Sequence, residues 1–283
     1  MFGRLCMPPL PVFVALTPTA RASGLHGMTR RSALSLVAAS CLAGQLGQAA
    51  NQMSRADALQ TIAAADRSGD GDQLLKLADD LLARDAEAAE AHYFRGRERF
   101  RRGDVAGSVA DFDRYVQLRP EREPPQWERG IALYYHAEYA RGAKQFELYQ
   151  TYDDRDVENS VWRYLCLAKK DGVEAARKTM LPIERDPRVP MMDIFRLYAG
   201  QAKPDDVLAA AQAGEPSPEV LDGRLFYAHL YLALYYDAAG NRPLVRKYID
   251  LAAEERLRQH PRINAYMWAV ARVHQRQLKE DRP

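Results

Sequence analysis

The segment from Asp66 to Gly71 has the residue types of a metal-binding loop. Its sequence, Asp-Arg-Ser-Gly-Asp-Gly, matches the first half of a calcium loop, in which oxygen ligands alternate and a glycine makes the bend. The twelfth position of such a loop is a bidentate glutamate, whereas this chain has Leu77 there. Gly69 and Asp70 also fit a turn that ends one helix and begins the next. We therefore expect a helix hairpin here and no metal site.

The histidines and the cysteine of the body offer no second catalytic or metal-binding pattern. The histidines after residue 50 lack the spacing that lets two imidazoles on one helix share a metal. They are His92, His136, His229, His260 and His274. Cys166 lies near Trp162 and Lys169 on an apolar helix face, which favours a buried structural thiol over a nucleophile. A phosphate-binding glycine loop and a nucleophile elbow are also missing, so the sequence predicts no catalytic residue and no cofactor.

The composition is typical of a packed globular protein. The 283 residues are 47% hydrophobic and 28% charged, which excludes disordered, collagen-like and multi-span membrane proteins. The formal charge is +2, but residues 1–50 hold four arginines and no acidic residue, so the remainder has a charge of about −2. A body without a basic stripe argues against nucleic-acid binding.

The first 50 residues have the order of an export signal. Arg30 and Arg31 are followed by an apolar stretch from Ala33 to Ala43 and then by the small residues Gly47, Ala49 and Ala50. The stretch of about a dozen residues is too short for a membrane span, which needs roughly 20. We expect Met28 to be the true start, residues 1–27 to be an over-long gene start, and residues 28–50 to be a signal peptide. A genuine 27-residue extension is the alternative.

Cys41 makes a second processing route available. It follows Val37-Ala38-Ala39-Ser40, which resembles the lipobox at which bacterial lipoproteins are cleaved and acylated, although the usual leucine is missing. Simple cleavage near Ala49 or Ala50 is the favoured alternative. In either case we expect an exported protein, either periplasmic or attached to the outer membrane by lipid at Cys41.

The body repeats at an interval of 34 residues. Gly69-Asp70 recurs as Gly103-Asp104, and the same shift relates further apolar and turn residues. These pairs are Gly96 and Gly130, Phe100 and Tyr134, Phe112 and Phe146, and Tyr115 and Tyr149. Apolar residues three and four apart within each unit predict two helices, which must stack on their neighbours to bury their apolar faces. The fold class is therefore all-α.

This pattern resembles the tetratricopeptide repeat. The segment from Ala89 to Pro120 carries the best match, with Tyr93, Gly96, Phe100, Gly103-Asp104, Phe112 and Pro120. The resemblance implies a superhelical solenoid of helix hairpins over residues 51–180. Six prolines predict short helices around 193–199 and 205–213 in an irregular segment, 181–224. A degenerate repeat and a capping helix, from about Arg262 to Lys279, would complete residues 225–283.

The order of segments over residues 55–278 is similar to that of NlpI-type envelope lipoproteins. The similarity lies in the repeats, in Ser160-Val161-Trp162-Arg163-Tyr164-Leu165, in Phe195-Arg196-Leu197-Tyr198-Ala199-Gly200, and in Phe226-Tyr227. Members of that family are dimeric scaffolds that bring a periplasmic protease and cell-wall hydrolases together. The resemblance implies such partners and a homodimer for this chain, although Ala228-His229 replaces the Leu-Gly that follows Phe-Tyr in the family.

The first helices of tetratricopeptide units line a concave surface, which predicts a protein-binding face. The residues that this surface would present are Tyr93, Arg97, Phe100, Arg101, Trp127, Ile131, Tyr134 and Tyr135. Aromatic residues with a few arginines are typical of peptide-binding surfaces. The alternative for Phe100 and Tyr134 is packing between helices.

These observations predict a non-catalytic adaptor of the cell envelope that binds other proteins or peptides. Two other functions remain open. One is an enzyme whose site is assembled around 181–224 from residues distant in sequence, and the other is a cytosolic co-chaperone with a misinterpreted leader.

Overall fold

The computed structural model describes residues 53–280, and that part of the chain is helical throughout. It contains thirteen α-helices, two short 3₁₀ helices and no β-strand. The start at Met28, the signal segment 28–50 and Cys41 lie outside the described residues. Within residues 53–280, no helix combines the length and the apolar character that a membrane span requires.

The helices are numbered in chain order. The first six are α1 (Arg55–Ser68), α2 (Gly71–Arg84), α3 (Ala89–Arg102), α4 (Val105–Leu118), α5 (Trp127–Tyr135) and α6 (Tyr139–Tyr149). The next four are α7 (Val157–Asp171), α8 (Val173–Lys178), α9 (Met191–Tyr198) and α10 (Pro204–Gln212). The last three are α11 (Pro218–Ala238), α12 (Arg242–Ala252) and α13 (Ala265–Glu280). The 3₁₀ helices are Pro120–Arg122 and Glu255–Leu257.

Neighbouring helices pack on one another in chain order. Each helix from α1 to α7 packs on the next one, and the same holds from α9 to α13. Helix α9 packs on α7 and α11, and α11 also contacts α7. Helix α13 makes the longest return in sequence, because it packs on α3 as well as on α12.

Two turns of the same design join the helices of the first pairs. Gly69 after α1 and Gly103 after α3 have φ angles of 76° and 90°, a region that favours glycine. The following aspartates cap the second helices: Asp70 accepts from the Gln73 amide at 3.0 Å, and Asp104 accepts from the Gly107 amide at 2.9 Å. The hairpin predicted at Gly69-Asp70 is confirmed.

Glycines allow the helices of a pair to approach closely. A Cβ atom added to Gly130 on α5 would lie 2.6 Å from Cζ of Phe146 on α6. At the equivalent position on α3, a Cβ atom added to Gly96 would lie 3.4 Å from Cδ1 of Phe112 on α4. The aromatic ring therefore occupies the space that a larger side chain on the first helix would need.

Helix α7 lies in the middle of the packed core. It contacts α5, α6, α8, α9 and α11, and its Trp162, Tyr164 and Cys166 side chains are buried. Burial raises the pKa of the Cys166 thiol far above its ordinary value, so the thiolate is disfavoured. The prediction of a buried structural thiol is confirmed.

The segment 181–224 contains short helices, as its prolines predict. Helices α9 and α10 end at Tyr198 and Gln212, close to the predicted bounds. The following helix, α11, begins at Pro218, where the Ser217 hydroxyl accepts from the Val220 amide, and runs for 21 residues. It therefore starts several residues before the repeat predicted from residue 225.

Candidate protein-binding face

The eight residues predicted to bind partners lie on two helices. Helix α3 carries Tyr93, Arg97, Phe100 and Arg101, and α5 carries Trp127, Ile131, Tyr134 and Tyr135. We call this set the α3/α5 face. Spacings of three and four residues bring most of these side chains toward the same side of each helix.

Helix α13 covers the α3/α5 face. The sequence predicts a helix that caps the end of the stack, and the helix is present: it packs on α12 and also on α3. Two sides of α13 are therefore in contact with other helices. On one side, Trp268 and Arg272 donate to the backbone oxygens of Glu254 and Ala253 at the end of α12. The other side carries the buried Tyr266 and packs on the α3/α5 face.

Tyr266 is the central contact between α13 and the face. Its ring stacks on Phe100 with 5.0 Å between ring centroids and meets the edge of Trp127 at 5.3 Å. The guanidinium of Arg97 lies 5.8 Å from the centroid of the same ring, within the range of a cation–π contact. Residues of α3, α5 and α13 therefore form one aromatic cluster.

His274 extends the contact two turns along α13. Its Nδ1 atom and the Tyr135 hydroxyl lie 3.2 Å apart and share a hydrogen bond, and the two rings meet at 5.9 Å. Burial lowers the pKa of His274 to about 4, with a smaller opposing effect from Asp237. The imidazole is therefore neutral at pH 7. Further along the helix, Arg276 donates to the backbone oxygen of Arg101 at 2.7 Å.

The two arginines of the face are paired with an aspartate of α1. Arg97 and Arg101 donate to the two carboxylate oxygens of Asp66 at 2.7 and 2.6 Å. Burial alone would raise the pKa of Asp66, but the two guanidinium groups together hold it below its ordinary value. The first acidic residue of the calcium-like segment is thus bound to arginines.

Glu128 completes the charged cluster beneath the face. It accepts a hydrogen bond from the Tyr93 hydroxyl at 2.9 Å and lies 3.8 Å from Nε of Arg97. Burial raises the pKa of this carboxyl, and Arg97 opposes the shift. Glu98 also lies 3.3 Å from Arg101, so Arg97 and Arg101 are surrounded by three carboxylates, those of Asp66, Glu98 and Glu128.

The eight predicted residues differ in what they contact. Phe100, Trp127, Tyr135, Arg97 and Arg101 contact α13. The others contact helices other than α13: Tyr93 packs on Tyr115 of α4, Tyr134 packs on Trp162 of α7, and Ile131 is fully buried. The interhelix packing expected for Phe100 and Tyr134 is present in both, and that of Phe100 involves α13. Protein binding by these residues remains a prediction.

A polar cleft of about 170 Å³ opens beside the face. Its lining residues are Tyr134, Tyr135, Tyr139, Lys169, Asp237, His274, Gln277 and Leu278. Across the cleft, Nζ of Lys169 on α7 lies 2.8 Å from the Asp237 carboxylate on α11. Sequence analysis missed this grouping because the charged residues come from three distant helices and share no local motif.

A second polar cluster joins the segment 181–190 to α7. Arg188 donates to Asp156, Glu158 and Asp186 at 2.5–2.6 Å, and the Tyr231 hydroxyl donates to Glu158 at 2.5 Å. Burial raises the pKa values of Asp156 and Glu158, and Arg188 opposes the shifts. Each carboxylate here has a partner within the protein. Among the described residues, no group of histidine, cysteine and carboxylate side chains is arranged to hold a metal ion.

The chain matches no known family model, and no curated protein is significantly similar to it.

Proposed function

We propose that this chain is a non-catalytic adaptor of the cell envelope that binds other proteins through the α3/α5 face. Its helices form a superhelical array of the tetratricopeptide type. Its partners are an envelope protease or a cell-wall hydrolase, as in the NlpI-type lipoproteins that the sequence resembles. A homodimer and a lipid anchor at Cys41 belong to the same proposal.

Local geometry supports the repeat architecture. Positive φ angles occur at Gly69, Gly103 and Ala137, which follow one another at the 34-residue interval. The aromatic residue of the second helix packs on the glycine of the first in two successive pairs, at Gly96 and at Gly130. Two independent features, one of the backbone and one of the packing, thus keep the same register.

The observation that carries the binding role is the helix already seated on the face. Phe100, Trp127 and Arg97 surround one aromatic side chain of α13, and Tyr135 bonds to another ring of it. Buried aromatic and arginine side chains are the residues that contribute most to protein interfaces. The face therefore has the chemistry to recognise a protein segment.

The polar groups support an adaptor better than an enzyme. The alternative is an enzyme site around 181–224, and there Arg188 donates to Asp186 of that segment and to Asp156 and Glu158 at the start of α7. A general acid or base needs a proton-transfer position open to substrate. The carboxylates of this cluster are instead occupied by a structural cation.

Site-specific photo-cross-linking tests the proposal. A photoreactive residue is placed at Arg101 of the full chain, and a matched control carries it at Tyr152, which is 58% exposed and lies away from the face. After exposure to bacterial envelope extract, we expect a protease or cell-wall hydrolase to be cross-linked from position 101 and not from position 152. Circular dichroism checks that both variants keep their helical content.

Two results would overturn the proposal. If both folded variants capture nothing, the α3/α5 face does not bind envelope proteins. If position 152 captures the partner and position 101 does not, the binding surface lies elsewhere on the molecule.

A further inference from the structure

We infer that the ligand of the α3/α5 face is an amphipathic α-helix of a partner protein, and that α13 is a resident helix which this ligand replaces. The inference rests on the proposed function and adds the kind of partner and the way in which access to the face is controlled.

One side of α13 defines the residues that such a ligand needs. Tyr266, Val270 and His274 follow at intervals of four residues, which aligns them along one helix face. The first fills the space between Phe100 and Trp127, and the last bonds to Tyr135. The ligand pattern is therefore an aromatic residue, a small apolar residue one turn later, and a polar ring or amide two turns later.

The seam between α13 and the face leaves polar atoms unsatisfied. Nε of Arg97, the Tyr266 hydroxyl and Nε2 of His274 are buried without a hydrogen-bond partner. Buried polar groups in proteins are nearly always paired, because each unpaired group keeps its desolvation cost. Two of these atoms, the Tyr266 hydroxyl and Nε2 of His274, belong to α13 and would be hydrated if α13 left the face. The contact of α13 with the face therefore carries a desolvation cost that its release would remove.

The opposite side of α13 is satisfied by polar contacts. Trp268 and Arg272 donate to backbone oxygens, and Gln275 donates to Asp250 of α12 at 2.6 Å. This contrast indicates that α13 belongs with α12 and that its contact with α3 and α5 is the one that opens. On the described residues, the α13 contacts with α3 and α5 are mainly aromatic, with hydrogen bonds from Arg276 and at Tyr135.

A resident helix makes the face selective. A partner must compete with an attached helix, so its apparent affinity equals its intrinsic affinity multiplied by the fraction of molecules in which the face is open. Extended peptides and helices without the aromatic anchor are rejected by this competition. Partner binding and α13 release are then linked equilibria.

Amide hydrogen exchange on the full chain tests the inference, with a synthetic peptide of residues 265–280 as the probe. We expect the amides of α13 to exchange through local opening at least tenfold faster than those of α7. The labelled peptide should bind Tyr266→Ala at least tenfold more tightly than the parent, because the attached competitor is weakened. Gln275→Ala is the matched control on the α12 side and should leave peptide binding unchanged.

The outcomes separate this inference from the adaptor proposal. If α13 and α7 exchange at the same rate and the peptide binds neither the parent nor Tyr266→Ala, then α13 is a permanent part of the core and the inference fails. Cross-linking from position 101 without any change in α13 exchange would retain the adaptor and reject helix replacement. If Tyr266→Ala does not fold, the comparison of α13 and α7 exchange rates in the parent protein tests the inference by itself.

Discussion

The ring of Tyr266 on α13 stacks on the ring of Phe100 on α3, with 5.0 Å between the centroids and 16° between the planes. Both rings are fully buried. This pair joins α13 to α3, so side chains far apart in the sequence share one core cluster, whereas the buried residues of α1 and α2 form a cluster of their own. The hydroxyl of Tyr266 contributes nothing to that contact, because it has no hydrogen-bond partner.

Tyr266→Phe and Tyr266→Ala should therefore differ sharply. Removing the unpartnered hydroxyl should leave the free energy of unfolding unchanged or raise it by about 1 kcal/mol. Truncation to alanine should lower it by about 3–5 kcal/mol, because it empties the space between Phe100 and Trp127. Urea unfolding followed by circular dichroism measures both values. A loss above about 1 kcal/mol in the phenylalanine variant would mean that the hydroxyl is hydrogen-bonded after all.

His274 should make the protein less stable in mild acid. Its folded-state pKa is about 4, against 6.5 for an unperturbed histidine. The unfolded chain therefore takes up this proton first, and stability that is complete above pH 6.5 is lost as the pH falls toward 4. The full contribution is about 3 kcal/mol.

Comparison with His274→Gln isolates this contribution from other titrating groups. The parent should lose its stability advantage over the variant between pH 7 and pH 4.5, as measured by urea unfolding at each pH. Parallel stability curves for the two proteins across that window would show that His274 has the same pKa in the folded and unfolded states.

Gly130→Ala should destabilise the protein. The new Cβ atom would lie 2.6 Å from Phe146, so the ring or the helix must move, at a cost of about 1–3 kcal/mol. Gly96→Ala is the matched control, because the nearest atom there is 3.2 Å away, and the better helix propensity of alanine offsets the strain. Thermal unfolding of the two variants compares the positions, and equal melting temperatures would contradict the close packing at Gly130.

Arg188→Met should leave three carboxylates without their cation. The side chain of Arg188 is 42% exposed, which reduces the effect, but Asp186 is 2% exposed and Glu158 is 15% exposed. We expect a loss of about 2–3 kcal/mol at pH 7 and a smaller loss at pH 5, where the carboxyls take up protons more readily. Arg188→Lys should retain part of the stability. An equal loss at both pH values would rule out electrostatic repulsion as the cause.

Cys166 should resist alkylation in the folded protein. Its thiol is buried, and its raised pKa keeps it protonated at pH 8. Iodoacetamide labelling followed by mass spectrometry should modify this residue only when denaturant is added. Rapid labelling in buffer would show that α7 opens locally.

Local features of the fold could be predicted from the sequence, because local chemistry determines them. Gly69-Asp70 and Gly103-Asp104 identify turns without any knowledge of distant residues, and prolines limit α9 and α10. The third turn carries Ala137 at a φ of 61°, where no glycine signals the conformation, so only the repeat interval indicates it. The positive φ angle at Ala137 can therefore be predicted only from the 34-residue interval and not from the residue type.

The position of α13 could not be predicted in the same way. The sequence shows its apolar face, but such a face is equally compatible with a helix that covers the end of the stack and with a helix that packs on the α3/α5 face. The partners of Tyr266 and His274 lie on α3 and α5, and no spacing rule connects residues so far apart. The cleft at Lys169 and Asp237 escaped prediction for the same reason.

The order in which the chain is synthesised gives the α3–α13 contact a further consequence. Domains form progressively from the amino terminus as the chain is made, and α13 is the last of the described helices to emerge. Until it does, Phe100 and Trp127 lack the ring that covers them. The nascent protein therefore passes through an interval in which its aromatic face is open to other chains. Completion of α13 ends that interval, because the Tyr266 ring then covers both side chains.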